Sequence, residues 1–152
     1  MIVIAHISDL HISKDSFDEK VFMDAVTEIN HLRPDMIILT GDITDNGYYK
    51  EYQQATKYLA MFDAPLFAVP GNHDARNLGY QTFEELIGEK SWKLTMDDDF
   101  TVMGIDSSSP DENSGHIGTP RVYDRSGYQR RRRRHYAKPQ RREFPYCDRR
   151  AY

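Results

Sequence analysis

Short apolar runs alternate with amphipathic stretches along the first 118 residues. Ile2, Val3, Ile4, Ala5 and Ile7 form a nearly continuous apolar run, the pattern of a strand buried on both faces. After the polar stretch HISKDS, the positions Val21, Phe22, Ala25, Val26, Ile29 and Leu32 recur at helical spacing, with Asp15, Ser16 and Asp18 offering caps and favourable charge at the helix start. Pro34 blocks continuation, and Met36 to Leu39 make a second buried-type run. Tyr48, Tyr52, Ala55, Leu59 and Phe62 step along a second helix, which Pro65 closes before the third run, Leu66 to Val69. Strand, helix, strand, helix, strand predicts an α/β fold with a parallel sheet, because parallel neighbours need a crossover long enough to return. A weaker helical stretch from Thr82 to Ile87 precedes WKLTM and FTVMGI, which read as an antiparallel hairpin. Its turn, Asp97 to Asp99, reads as a solvated acidic turn rather than an ion site.

Composition divides the chain. Residues 1–120 carry 8 Lys/Arg against 21 Asp/Glu, a net charge of -13, whereas residues 121–152 carry 12 against 3, a net of +9. The overall charge of -4 hides this split. From Arg121 onward there is no Leu, Ile or Met, and Arg130 to Arg134 is an unbroken cationic run. Such a segment buries too little apolar surface to offset its ordering entropy, so residues 120–152 are expected to lack fixed structure. Two other readings stay open: a frame change in the coding sequence, and an Arg/Tyr surface for single-stranded nucleic acid. The single cysteine, Cys147, excludes an internal disulfide scaffold and a thiolate metal cluster. No run approaches a bilayer span and the first residues lack the pattern of a secretory signal, so a cytoplasmic protein with no membrane partner is expected.

The chemistry gathers after the three apolar runs. Ser8-Asp9-Leu10-His11 follows the first, Gly41-Asp42-Ile43-Thr44-Asp45 the second and Gly71-Asn72-His73-Asp74 the third. All three fall at strand carboxyl ends, which in an open parallel sheet converge on one crevice. Each alone is weak, since an Asp after a strand is often only a helix cap. Together they bring carboxylate, imidazole and amide oxygen, the donor set of borderline divalent metals such as Mn, Fe(II), Zn or Ni.

These motifs, D-x-H, G-D-x-x-D and G-N-H-D, resemble the signature of the calcineurin-like metallophosphoesterases, with HISDLH and GDITDNG most like the cyclic-nucleotide phosphodiesterase branch. The resemblance implies a metal-dependent phosphoesterase acting on a small phosphodiester or monoester, such as a cyclic nucleotide, through a hydroxide shared by two divalent ions. It places Asp9 and His11 on one metal, Asp42 between both and Asn72 on the second. His73 faces the substrate phosphate and Asp74 orients His73, while Asp45 holds the loop by hydrogen bonds. The resemblance covers residues 1–119, the first half of an α/β/β/α sandwich. The later isolated histidine and the G-H-x-H motif of that family are absent; His116 reads as a loop residue, His6 as a core or sheet-edge residue and His31 as a surface one. A missing second half would expose one apolar face of the sheet and favour self-association. The alternative functions are a non-catalytic metal- or protein-binding remnant, and a nuclease-like member that binds DNA through the basic tail.

Overall fold

The computed structural model describes residues 1–15, 17–96 and 100–117. The Asp97–Asp99 turn and the basic tail, with the expectations attached to them, lie outside these residues. Eight elements follow one another: β1 (Ile4–Ile7), α1 (Glu19–Leu32), β2 (Met36–Thr40), α2 (Tyr49–Leu59), β3 (Leu66–Val69), α3 (Gly79–Leu86), β4 (Trp92–Met96) and β5 (Phe100–Gly104). β1, β2 and β3 form a parallel sheet in that order, with Ile4 opposite Met36 and Ile37 opposite Leu66. β4 and β5 pair antiparallel as the hairpin expected from their sequences.

Period-two alternation assigns the two faces of the sheet. Ile37 and Leu39 of β2 and Ala68 of β3 are buried in one core with Phe22 and Val26 of α1, Tyr52, Ala55 and Leu59 of α2, and Phe83 and Leu86 of α3. Phe22 stacks edge-on against Tyr58 and Phe62, which locks α1 to the end of α2. On the opposite face the hairpin packs against β3. Trp92 lies against Phe67, with ring centroids 5.3 Å apart, and its Nε1 donates to Ala68 O at 2.6 Å. Gly104 permits this seat, because a Cβ there would collide with the indole.

The apolar run at the start of the chain is not buried on both faces. Ile2, Val3 and Ile4 are exposed at 36%, 46% and 37%. β1 has β2 on one side and no described strand on the other. The apolar stripe of α1 is also narrower than its periodicity suggests. Phe22 and Val26 are buried, while Val21, Ala25 and Leu32 face solvent. Asp18 caps α1 as expected, its Oδ1 accepting from Val21 N at 3.0 Å. α2 begins one residue later than the stepping of tyrosines implied, with Tyr48 outside the helix, and Glu51 accepts from Asn46 N and Tyr48 N to close its N-terminus. α3 begins at Gly79 rather than Thr82 because Leu78, in left-handed geometry, turns the chain into it. No helix among the described residues is long and apolar enough to cross a membrane.

Candidate metal centre

Three loops leave the carboxyl ends of β1, β2 and β3 and are tied together by their backbones. Beyond the sheet, the parallel pairing continues through Asp9 N to Gly41 O, His11 N to Asp42 O and Ile12 N to Ile43 O. Asp9, His11 and Asp42 all take left-handed φ angles, 58°, 46° and 50°, where residues other than glycine are uncommon. Gly41 and Gly71 let the second and third loops touch: a Cβ on Gly71 would collide with the carboxylate and amide of Asp42.

Asp74 fastens these loops from below. Its carboxylate is wholly buried; Oδ1 accepts from Thr44 N at 2.8 Å and Thr44 Oγ1 at 2.9 Å, and Oδ2 from Gly71 N at 2.9 Å and Ile43 N at 3.1 Å. Burial pushes its carboxyl above the usual range, against the downward pull of those four donors. The resemblance gave Asp74 the task of orienting His73, but its oxygens serve the backbone of the second and third loops. His73 is instead oriented by the second loop, through Nδ1 at 2.7 Å from Asp45 O. A carbonyl only accepts and a guanidinium only donates, so Asp45 O and Arg76 make opposite demands on Nδ1. Arg76 Nη1, 3.0 Å from that Nδ1, donates to the same Asp45 carbonyl at 3.3 Å.

Above this base, His11, Asp42 and His73 each present a ligand atom within 4.8 Å of the others. His11 Nε2 lies 3.9 Å from Asp9 Oδ1 and 4.0 Å from Asp42 Oδ2, a gap that a cation with bonds of about 2 Å to each donor would span. Asp42 Oδ1 accepts from His73 N at 3.1 Å, which leaves Oδ2 for that gap. Asp45 Oδ1 sits 3.5 Å from Nδ1 of both histidines, whose rings meet edge to face at 4.7 Å. His11 Nδ1 is buried without a hydrogen-bond partner among the described residues. Two imidazoles and two carboxylates at these separations fit a divalent cation. Asn72 lines a cleft of about 350 Å3 together with Asp42. Asp9 remains the open side of the site, its side chain 66% exposed.

The structure adds residues that the motifs did not mark. Arg76 forms an ion pair with Asp111, Nε to Oδ1 3.0 Å, and so links the third loop to the segment after β5. Asp106, wholly buried, anchors that segment through Ser108. The signal was present: Asp106-Ser107-Ser108-Ser109 follows a strand just as the three motif clusters follow theirs. His116 lies exposed in this segment, and His6 sits on the exposed β1 with Nε2 2.7 Å from Thr40 Oγ1.

Comparison with known proteins places this geometry. A probable glycerophosphodiester phosphodiesterase of Arcobacter nitrofigilis is 32% identical over 136 residues, 79% of this chain and 49% of that protein. A glycerophosphodiester phosphodiesterase of Enterobacter lignolyticus is 37% identical over 81 residues, 47% of this chain and 29% of that protein. A 3',5'-cyclic-nucleotide phosphodiesterase of Nostoc is 29% identical over 111 residues, 62% of this chain and 42% of that protein. The chain therefore spans about half or less of the length of these relatives. The family model for calcineurin-like phosphoesterases matches residues 2–143, past the 119 residues over which the motifs were read. With its His/Asp cluster at the ends of three parallel strands, this chain belongs to the calcineurin-like phosphoesterase family.

Proposed function

We propose that the chain hydrolyses small phosphate esters, phosphodiesters or monoesters such as cyclic nucleotides or glycerophosphodiesters, with two divalent cations and in the cytoplasm. The observation that carries this reading is the meeting of His11, Asp42 and His73 within 4.8 Å in a member of a phosphoesterase family. Asp9, His11 and Asp42 would hold one cation, and Asp42 with Asn72 the other; Mn, Fe(II), Zn and Ni all suit these donors. Divalent cations in such a place supply Lewis acidity toward phosphoryl oxygens and make water acidic enough to attack near neutral pH.

The chain's own residues do the rest. Held at Nδ1 by the Asp45 carbonyl, His73 would serve the departing oxygen as general acid only as the imidazolium, giving up its Nε2 proton and returning to the neutral ring. Arg76 adds positive charge beside that ring. Asp74 acts as a positioning residue: it sets the spacing between the loop of Asp42 and the loop of Asn72 and His73. The test is hydrolysis of bis(4-nitrophenyl) phosphate by the full chain in Mn. Turnover above buffer that falls at least about 100-fold in Asp42→Asn upholds the proposal.

A second reading, a metal-binding protein without catalysis, draws on the exposure of Asp9 and on the two donors, Asp42 and Asn72, that the second position finds among the described residues. Tight Mn binding with no hydrolysis of this diester or of 4-nitrophenyl phosphate would select it.

A further inference from the structure

We infer that the segment 107–115 builds a subsite for the organic group of the phosphate ester, one that takes a neutral, hydroxyl-bearing group and rejects an anionic one; this rests on the phosphoesterase reading above. The segment forms the far wall of the 350 Å3 cleft whose near wall holds Asp42 and Asn72. A phosphoryl group engaged at those two residues would place its substituent against Ser107, Ser109, Glu112 and Asn113.

This wall is braced at four places. Asp106 Oδ1 accepts from Ser108 N at 2.9 Å and Ser108 Oγ at 2.6 Å. Tyr80 of α3 donates its hydroxyl to Ser108 O at 2.7 Å, and His116 N closes the loop on Ser107 O at 2.7 Å. The Arg76–Asp111 pair joins it to the turn that carries His73. Pre-placed donors of this kind recognise a ligand without the cost of ordering a loose loop.

The chemistry of the lining sets the preference. Hydroxyls at Ser107 and Ser109 and an amide at Asn113 can both donate to and accept from alcohol groups. Among the described residues, the charged side chains on the cleft are Asp42 and Glu112, with no Lys, Arg or His. A second anionic group would be desolvated opposite Glu112 with no cationic side chain among the described residues to pair it. A second cleft beside the cluster, of about 670 Å3 on the Asp45 side, carries Lys14 and Lys50 along with Asp15, Asp45 and Glu51.

The test measures binding rather than turnover, by calorimetry on the full chain in Mn. Its probes are inorganic phosphate and the non-hydrolysable phosphonate analogues of glycerol 3-phosphate and of 3-phosphoglycerate. The glycerol analogue should bind about fivefold or more tightly than phosphate, and the carboxylate analogue about tenfold more weakly than the glycerol one, the scale of one or two hydrogen bonds or one unpaired charge. Ser107→Ala with Ser109→Ala should return the glycerol analogue to the affinity of phosphate and leave phosphate itself unchanged. Glu112→Gln should recover most of the loss for the carboxylate analogue. Equal affinity for the two analogues, or a preference that survives the serine substitutions, overturns the subsite. Failure of Mn and phosphate to bind at all overturns the phosphoesterase reading first, and the subsite with it.

Discussion

Asp74 and Tyr52 form the floor on which the metal centre stands. Tyr52, wholly buried, donates its hydroxyl to Asp74 O at 2.9 Å, and burial followed by the nearby Asp74 charge pushes its phenol well above the usual range. An acid whose folded pKa is raised favours the folded state below its unfolded pKa and loses that contribution as pH rises. Stability should therefore fall above about pH 10, where tyrosine in the unfolded chain ionises while Tyr52 keeps its proton. Urea melts across pH 9 to 11 should show this slope reduced in Tyr52→Phe, which at pH 7 costs about 1 kcal/mol for the lost hydrogen bond. Asp74→Ala should cost more, about 3 kcal/mol, because it strands four donors at once. The sequence showed that Asp9, His11, Asp42 and the G-N-H-D turn occupy one end of the sheet, because each follows an apolar run. It did not show what Asp74 holds: an aspartate after a histidine reads the same whether it braces a ring or a backbone, and only the approach of the second and third loops decides. Arg76 was silent for the same reason, since its partner Asp111 lies far along the chain.

Among the elements, β2 matched its sequence best, since it is central and a central strand is governed by its own apolar run. β1 did not, because burial belongs to neighbours and its outer side has no described strand. The same reason explains Val21, Ala25 and Leu32 on α1: helical period marks apolar positions but not which of them find a partner. Exposed Ile2 and Ile4 lie on one face of an unpaired edge, the arrangement that promotes strand-to-strand association. Sedimentation at rising concentration should show self-association that Ile2→Lys with Ile4→Lys reduces; a wild-type monomer at all concentrations would contradict this. The hairpin is better fastened. Trp92→Phe keeps much of the ring contact but loses the bond to Ala68 O, and should lower stability by about 1 kcal/mol in urea melts.

At the scale of the whole molecule, charge and metal are coupled. The acidic body gathers Asp9, Asp42 and Asp45 within reach of one another's neighbours, so without a cation they repel. A cation bound only to the folded state stabilises it by mass action, about 2.7 kcal/mol at a hundredfold excess over Kd. Thermal melts should shift upward with Mn and return with EDTA, and Asp42→Asn should abolish most of the shift. An Mn-independent melting temperature would argue against the cluster as a cation site. Charge asymmetry between the body and residues 121–152 was legible from composition alone, but composition assigns no position to either part.

Asp9, His11 and Asp42 hold their donors in place by accepting left-handed torsions that a glycine would adopt freely. Each such residue withholds about 1 kcal/mol from the folded state. Selection for robustness alone would thus erode this protein first at the residues it can least spare: a glycine at Asp9 would relax the backbone while discarding a ligand. In any library sorted for heat tolerance, the variants that survive best are expected to include ones that have ceased to bind metal.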